Sequence, residues 1–350
     1  MNAPAGDPSE EMPHRLPAGL RHLREVALSG ARAAAVRAAA LLGVADALAD
    51  EPSTVDELAE RVEAKPAELR RLLRALAALG VFAAEPDGRY RHTEASRYLR
   101  EDEPGSIKHI VLWSTEPWTW ELWPRLDQAV RTGESVFGKV HDLAFFDYLR
   151  TEAPGSGEVM DKAMVQASSL SIESIADLLD LTGVTSFADI CGGRGQVLTA
   201  VLARHPRLHG TLFDRPAALA KADPQLREGS EFAGRVELVA GDCRAAVPVR
   251  ADAYLLKSVL DWDDESTVKT LSNVAAAARP GARVFIIENL ADSSAEPAFT
   301  TAMDLLLLLN VGGRKRTAAE FSALAERSGL AVTGVEPVDS YLHLITCRVP

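Results

Sequence analysis

Cysteine, basic charge and long apolar runs are all scarce in this sequence. Its three cysteines, Cys191, Cys243 and Cys347, have no metal-ligand spacing, so no metal site is predicted and reduced thiols of a cytoplasmic protein are expected. Lys and Arg number 38 against 50 Asp and Glu, and the net charge of −12 argues against a nucleic acid or an anionic membrane as partner. The longest leucine run, residues 305–309, is far too short to span a bilayer.

The remaining composition is that of an ordinary globular protein. Hydrophobic residues make up 47% of the chain and charged residues 25%, and 350 residues are enough for two domains with separate cores. Residues 1–14 are polar, acidic and proline-bearing, which predicts a disordered tail and no signal peptide. We therefore expect a soluble protein of two domains.

Residues 15–105 predict a small helical domain with a winged-helix pattern. A segment over residues 15–48 is rich in alanine and leucine at helical spacing, and a helix capped by Ser53 or Thr54 follows it. A second helix over about residues 66–79 leads into a β-hairpin that turns at the Asp-Gly of residues 87–88. Small apolar residues suit close packing of helices, so this domain is predicted to join two copies of the chain.

DNA binding is the alternative role for this domain. Its second helix carries Arg70, Arg71 and Arg74 on or near one face, where a recognition helix would need them. The surrounding residues are rich in Asp and Glu, and the whole chain is acidic. A dimerisation role is therefore preferred.

The stretch over residues 187–216 organises the rest of the chain. An apolar run at 187–190 predicts a buried strand, the turn Cys-Gly-Gly-Arg-Gly follows at 191–195, and a helix leads to a second strand ending at Asp214. The glycines allow backbone N–H groups to approach a ligand that a Cβ would obstruct. Asp214 is spaced to accept hydrogen bonds from ribose hydroxyls. The alternative is a glycine turn required only for packing.

Later strands extend this unit into a sheet. The run at 236–242 ends in Asp242 and the run at 252–257 ends in Lys257, so acids and a lysine converge where open sheets bind ligands. Each of them could instead be a solvated strand end. A fifth strand at 283–288 and a final hairpin at 330–349 complete an α/β fold: a mostly parallel Rossmann-like sheet closed by an antiparallel hairpin. Such a sheet suits a cofactor with one nucleoside.

Aromatic and sulfur-containing side chains between the two domains indicate a small-molecule pocket. Trp113 belongs to a tryptophan cluster that could pack as core or wall a planar ligand, and Met160 and Met164 could face the same space. Three residues in a helical stretch near residues 299–310 are also expected to contact the substrate: Met303, Leu307 and Asn310.

With these motifs, the chain resembles the S-adenosylmethionine-dependent small-molecule O-methyltransferases of the plant caffeic acid and bacterial antibiotic-tailoring type. The resemblance extends from about residue 15 onward and includes the Arg-Thr-Gly at 131–133 and the Gly-Gly-Arg-Lys-Arg-Thr at 312–317. It implies a class I methyltransferase fold and a homodimer that methylates an aromatic or polyketide-like secondary metabolite, leaving S-adenosylhomocysteine. The implied domains are a winged-helix dimerisation domain (15–105), a helical bridge that contributes to the substrate pocket (106–170) and a Rossmann-like catalytic domain (171–350).

The resemblance also implies a set of cofactor contacts. Around the methionine and ribose these are Asp189, Cys191, Gly193, Gly195 and Asp214, the last on the ribose hydroxyls; Asp242 and Cys243 flank the adenine, and Lys257 and Trp262 close the other side.

The chain departs from the family pattern at three places. Cys191 replaces the first glycine of the loop, and a side chain there would crowd a ligand or demand a shifted backbone. The family's general-base His is missing, because Leu260 is followed directly by Asp261. Of the two glutamates that orient that His, Glu288 fits the first position, but Lys315 occupies the second.

Three side chains are candidates to replace the missing base: Asp261, Glu288 and His141. The structural alternatives are that Asp261 caps the next helix and that His141 lies in a pocket wall or at the surface. Methyl transfer can also proceed by alignment alone, because a sulfonium methyl is already activated. The alternative function is a non-methylating enzyme of the cyclase or hydroxylase type, in which Lys315 would stabilise developing negative charge.

Overall fold

A computed structural model of the chain describes residues 16–350, and the predicted tail over residues 1–14 lies outside them. The described chain divides into two compact units, one ending at Thr115 and the other beginning at Glu116. In the described part, no helix is long and apolar enough to cross a membrane.

The first unit is mainly helical. Its elements are α1 (Ala18–Ala27), α2 (Ser29–Leu42), α3 (Val44–Ala47), α4 (Val55–Arg61), α5 (Pro66–Ala78), β1 (Phe82–Ala84), β2 (Tyr90–His92), α6 (Glu94–Arg97) and α7 (Lys108–Ser114). The segment over residues 15–48, predicted from its helical spacing, forms α1, α2 and α3; Gly43, with a left-handed φ of 66°, ends α2. Thr54 begins α4 with a capping box in which Glu57 takes part.

The predicted winged-helix pattern is confirmed in this unit. β1 and β2 pair antiparallel, with Phe82 opposite His92, and form the wing that follows α5. The core between helices and wing includes Leu58, Leu73 and Phe82, each at most 1% exposed. Burial of these side chains stabilises the unit, because removing apolar area from water is the main favourable contribution to folding.

The second unit begins with helices that precede its sheet. They are α8 (Pro117–Leu122), α9 (Leu126–Thr132), α10 (Phe137–His141), α11 (Phe145–Thr151), α12 (Pro154–Ser169) and α13 (Ile172–Leu178). The stretch over residues 107–130 consists of several short helices. Pro117 and Pro124 divide it, because proline disfavours helical backbone in the preceding residue and provides no N–H.

A seven-stranded sheet forms the centre of the second unit, in the order β5-β4-β3-β6-β7-β9-β8. Its strands are β3 (Ser186–Ile190), β4 (His209–Asp214), β5 (Val236–Ala240), β6 (Ala253–Lys257), β7 (Arg283–Glu288), β8 (Ala331–Pro337) and β9 (His343–Arg348). The helices along this part of the chain are α14 (Gln196–Arg204), α15 (Pro216–Leu219), α16 (Asp264–Ala277), α17 (Pro297–Val311) and α18 (Ala318–Arg327). β3 to β7 are parallel, and β9 is antiparallel to both its neighbours, which confirms the predicted fold class.

The sheet is buried on both faces. In β6, Tyr254 and Leu256 belong to one apolar cluster, whereas Ala253 and Leu255 belong to the other. This alternation follows from the two-residue period of a strand, and covering both faces explains why the strand is apolar throughout. Because β3 to β7 are parallel, their carboxyl ends lie at one edge of the sheet. The predicted site residues lie at or near these ends.

Candidate active site

The turn from β3 to α14 has left-handed backbone at three positions. Cys191, Gly193 and Gly195 have φ values of 58°, 61° and 77°. Gly195 also precedes the first turn of α14, and a Cβ there would overlap the side chain of Leu226. This turn therefore requires glycine at Gly195 for both conformation and space.

Asp189 is a buried carboxyl in β3, only 2% exposed. A Cβ on Gly192 would overlap its carboxylate, so the turn folds directly over this group. Burial raises the pKa of Asp189 to about 7; the nearby carboxylate of Asp214 acts in the same direction, and Lys257 opposes it. The turn and an acidic group of the sheet are thus in close contact.

Asp214 ends β4 and is joined to the same turn. Its carboxylate accepts hydrogen bonds from the backbone N–H of Gly193 at 2.8 Å and of Arg215 at 2.6 Å. Burial raises its pKa, while these two backbone hydrogen bonds act to lower it. Because each carboxylate oxygen has two lone pairs, acceptor capacity remains for a ligand hydroxyl.

Lys257 ends β6 and brings a positive charge to the same edge. Its Nζ donates to Ser168 Oγ at 3.2 Å. Burial lowers the pKa of the lysine, opposed by the carboxylates of Glu288 and Asp189. Asp214 and Lys257, both predicted from sequence, are therefore each close enough to Asp189 to affect its pKa.

A second acid follows β5 and forms a small cluster with an aromatic ring. Asp242 accepts hydrogen bonds from the backbone N–H and the guanidinium of Arg244, which lower its pKa. The same guanidinium lies 5.2 Å from the ring centroid of Trp262, within range of a cation–π interaction. The structure thus brings Asp242 and Trp262 together through Arg244, which sequence reasoning missed because nothing in its spacing distinguishes it.

The side chain of Cys191 points toward a second cysteine. Its Sγ lies 3.1 Å from Sγ of Cys243, and it packs against the apolar cluster to which Cys243 belongs. The backbone of Cys191 keeps a left-handed conformation, and its N–H donates to Phe213 O at 2.7 Å. The loop therefore accommodates a side chain where the resemblance expects glycine.

Glu288 holds the loop that follows β6. One of its carboxylate oxygens accepts from the backbone N–H of Val259 and of Leu260, each at 2.8 Å, while the other has no hydrogen-bond partner within residues 16–350. The side chain is fully buried, and burial raises its pKa to about 7; Asp261 acts in the same direction and Lys315 opposes it. The geometry gives Glu288 a role in positioning this loop.

Asp261 forms an ion pair with Lys315. The lysine Nζ lies 2.6 Å from Asp261 Oδ2, and the two side chains are 6% and 20% exposed, respectively. Burial lowers the pKa of Lys315, but Asp261 and Glu288 outweigh that effect and raise it. The helix cap considered for Asp261 is made by Asp263, whose carboxylate accepts from the N–H of Ser266.

Further contacts join the loop of Asp261 to the segment at 312–317. Arg316, fully buried, donates to the carbonyl oxygens of Leu260 at 2.7 Å and Trp262 at 2.5 Å, and pairs with Asp264 at 2.8 Å. A Cβ on Gly313 would overlap the carbonyl oxygen of Asp261. The segment at 312–317 was part of the family resemblance, but the structural role of Arg316 was not predicted, because a buried arginine has no signature in sequence.

His141 ends α10 within an aromatic cluster. Its ring centroid lies 4.4 Å from that of Phe137 and 4.4 Å from that of Tyr148, and its Nε2 is 4.0 Å from a carboxylate oxygen of Glu121. Burial lowers its pKa, which favours the neutral ring. The surroundings are those of a residue in an aromatic wall.

The six predicted substrate contacts lie on three helices. Met303, Leu307 and Asn310 are on α17, which packs against α8, α9 and α10, and Asn310 is buried with its Oδ1 unpartnered in the part of the chain that the structure describes. Met160 and Met164 are on α12, where Met164 is 41% exposed. Trp113 is buried in α7 of the first unit. Their role as substrate contacts stays a prediction.

Comparison with known proteins gives two matches to family models. The O-methyltransferase dimerisation domain matches residues 25–102, and the O-methyltransferase domain matches residues 123–331. The mitomycin biosynthesis 6-O-methyltransferase of Streptomyces lavendulae is 39% identical over 309 residues, which are 87% of each chain. The chain belongs to the O-methyltransferase family.

Solved structures agree with this membership. The mitomycin 7-O-methyltransferase superposes with a TM-score of 0.85 and 34% identity, over 95% of this O-methyltransferase and 98% of that chain. An O-methyltransferase from neocarzinostatin biosynthesis, solved with S-adenosylmethionine and 2-hydroxy-5-methyl naphthoic acid, has a TM-score of 0.79 and 31% identity over 96% and 100% of the two chains. The predicted family, fold and enzyme class are confirmed, and the non-methylating alternative is not favoured.

Proposed function

We propose that this O-methyltransferase transfers a methyl group from S-adenosylmethionine to a hydroxyl or amine of an aromatic or polyketide-like metabolite, releasing S-adenosylhomocysteine. The observation that carries the proposal is the convergence of Asp189, Asp214 and the glycine turn at the carboxyl ends of β3 and β4. This is the edge at which open α/β sheets bind nucleosides. Relatives that act on mitomycin and naphthoate compounds support the acceptor class.

The residues at this edge fit the donor chemically. Asp214 would accept the ribose hydroxyls with the lone pairs left after its two backbone hydrogen bonds. Asp242, Cys243 and Trp262 would enclose the adenine, with Arg244 holding both Asp242 and the Trp262 ring. Asp189 would face the methionine part, with Lys257 nearby.

Bound S-adenosylmethionine supplies a methyl group on a positively charged sulfur, which is already activated for displacement. The protein then contributes chiefly by holding donor and acceptor in line, an effect that can account for about 7 to 11 kcal/mol of a barrier. The loop from Val259 to Trp262 is rigidly held by Glu288 and Arg316, as such positioning requires.

The acceptor's proton is not assigned to a protein base in this proposal. Asp261 is occupied by Lys315, and the bonded oxygen of Glu288 is occupied by loop N–H groups. A general base contributes about 10²- to 10⁴-fold, and an acceptor that is already ionised, or an amine with a free lone pair, needs none. We therefore propose an acceptor such as an acidic phenol.

Two copies of the chain would associate through the first unit. Its first helices expose apolar side chains, among them Leu23 at 69%, Leu28 at 62% and Leu41 at 63%, and a dimerisation model matches this region. The double variant Leu23→Glu with Leu41→Glu places two negative charges on this apolar surface and should convert the dimer to a monomer. Analytical ultracentrifugation measures the change, and an unchanged dimer would contradict this interface. The net charge of −12 gives no support for nucleic acid or membrane partners, and the three thiols suit the cytoplasm.

The proposed function is tested by calorimetric titration of ligand-free protein with S-adenosylhomocysteine and S-adenosylmethionine. Binding of both, followed by transfer of labelled methyl groups to acidic phenols, is the expected result. Failure of ligand-free, folded protein to bind either compound would contradict the proposal.

A further inference from the structure

The two thiols beside the predicted adenine site form a pair that the proposed methyl transfer does not use. Cys191 Sγ and Cys243 Sγ are 3.1 Å apart, and a disulfide bond needs about 2.05 Å. The difference is about 1 Å, which small rotations of two side chains can supply. Cys191 is half-buried and Cys243 is buried, so the pair lies at the boundary between the turn and the core.

The backbone at Cys191 is a second, independent observation. With a φ of 58°, this residue has a conformation that glycine adopts freely and that costs a residue with a Cβ about 1 kcal/mol. Non-glycine residues in this conformation concentrate at functional sites. The two neighbouring positions of the turn with left-handed backbone, Gly193 and Gly195, are both glycine, so Cys191 is the exception within its own loop.

The position of the pair connects two parts of the site. Cys191 lies in the glycine turn after β3, whereas Cys243 follows β5, next to Asp242. A covalent bond between them would join the turn to the segment that carries Asp242 and Arg244. In the proposed function, these are the two parts that close around the nucleoside.

We propose that Cys191 and Cys243 form a reversible disulfide with small organic disulfides as oxidant, and that this bond and the cofactor exclude each other. One of the two cysteine sulfurs, as its thiolate, attacks one sulfur of the oxidant and releases the first thiol; the other cysteine sulfur then displaces the second thiol. The protein loses two electrons and two protons, and the two released thiols carry them. A dithiol reductant reverses both steps.

The exclusion follows from the geometry and from linkage. Forming the bond moves two sulfurs together and removes the freedom of the turn to adjust around a nucleoside. A cofactor lying over the turn would in turn cover the partly exposed residue Cys191 and hinder the approach of the oxidant. Because coupling between two binding events is reciprocal, protection of the thiols by the cofactor and loss of cofactor affinity on oxidation must occur together.

The test treats the full-length protein with hydroxyethyl disulfide and measures its intact mass and its peptides. The expected product has lost the mass of two hydrogen atoms, contains a peptide linking Cys191 to Cys243, and leaves Cys347 as a free thiol. Cys347 is the internal control, because it is fully buried within an apolar cluster of the sheet, where the oxidant cannot reach it. Saturating S-adenosylhomocysteine should slow formation of the bond at least about tenfold.

Calorimetry of the oxidised protein supplies the second measurement. Its affinity for S-adenosylhomocysteine should fall at least about tenfold and return with dithiol reductant. The Cys191→Gly and Cys243→Ser variants cannot form the internal bond. Treatment with hydroxyethyl disulfide should therefore leave the affinity of each variant for S-adenosylhomocysteine at its untreated value. Stable adducts on Cys191 without the internal bond, or oxidation that leaves affinity unchanged, would overturn the inference.

This inference rests on the proposed function for the identity of the ligand, but the two can fail separately. If reduced protein does not bind S-adenosylhomocysteine, the proposed function fails, while the mass measurement still reports whether the disulfide forms. If reduced protein binds and oxidised protein binds equally well, only the inference fails.

Discussion

The sheet edge that carries the site has two halves that treat their charges differently. In the cofactor half (Asp189, Asp214, Asp242 and the glycine turn), the carboxylate of Asp214 is held by backbone N–H groups. In the acceptor half (Glu288, Asp261, Lys315 and Arg316), Asp261 pairs with a buried lysine and Glu288 holds the next loop. The cofactor half retains hydrogen-bond acceptors that can bind a ligand, whereas the charged groups of the acceptor half are engaged with one another and with the neighbouring loop.

This difference has a chemical consequence. A backbone hydrogen bond to Asp214 leaves lone pairs available, whereas the ion pair of Asp261 with Lys315 stabilises the carboxylate as an anion and lowers its tendency to take up a proton. In the proposed function, the same edge would therefore bind a nucleoside but would not deprotonate an alcohol. A methyltransferase with such a site depends on alignment and on the acidity of its acceptor.

The largest effect is expected in the cofactor half, from Asp214→Ala. The change removes the proposed acceptor of the ribose hydroxyls and the acceptor of the Gly193 N–H, and hydrogen bonds to charged groups contribute about 1.5 to 3 kcal/mol each. Affinity for S-adenosylhomocysteine should fall at least about 100-fold in calorimetry. Glu237→Ala, an exposed acid on β5, is the matched control and should bind normally; equal affinity of Asp214→Ala and wild type would remove Asp214 from the site.

A smaller effect is expected in the acceptor half, from Lys315→Met. This change leaves Asp261 without its partner in a mostly buried position, and the free energy of unfolding should fall by about 2 kcal/mol. Urea denaturation measures the loss, and the double variant Lys315→Met with Asp261→Asn should recover part of it.

Arg314→Met provides the control for this change. Arg314 pairs with Asp264 at 3.0 Å, but its side chain is 46% exposed, so its loss should cost less than about 1 kcal/mol. If the Lys315 and Arg314 variants were equally stable, the buried ion pair would not hold the loop.

The pH dependence of stability should show the smallest effect, through Glu288. Its pKa is raised to about 7 in the folded protein from 4.5, so the folded state binds more protons than the unfolded state in the range between. The stabilisation of the folded protein by protonated Glu288 is therefore complete below about pH 4.5 and is lost as the pH rises toward 7. Glu288→Gln should reduce the fall in unfolding free energy between about pH 5 and pH 7.5 by about 1 to 2 kcal/mol.

Denaturation of wild type and Glu288→Gln at both pH values measures this contribution. Asp189→Asn is the counterpart in the cofactor half, because burial also raises the pKa of Asp189 to about 7. A Glu288→Gln variant with the same pH dependence as wild type would show that Glu288 is ionised in the folded protein.

The sheet was predictable from sequence because its signals are local. Apolar runs mark β3 to β6, and those of β4, β5 and β6 lead into Asp or Lys. The glycines of the five-residue turn between β3 and α14 indicate that turn. The helix boundaries within residues 107–130 are less evident from sequence, because two prolines divide a continuous apolar pattern into short helices. Local composition therefore fixes the strands better than the helix boundaries.

The cofactor half was also more predictable than the acceptor half. Asp189 lies near the end of β3, and Asp214 and Lys257 end β4 and β6. These strands pair in register, so topology alone brings the three residues together. The contact of Arg316 with Leu260 and the pairing of Asp261 with Lys315 join residues more than 50 positions apart. Such contacts depend on how α17 and its following loop return to the sheet, and sequence spacing does not encode that path.

The most direct test of the account is the pH dependence of methyl transfer to two phenols of different pKa, with wild type and His141→Asn. The account predicts that kcat/KM rises with pH to a plateau set by each phenol's own pKa, and that the His141 variant keeps the same profile. One shared apparent pKa for both phenols, or its loss in the His141 variant, would show that a protein group removes the proton and would contradict the account.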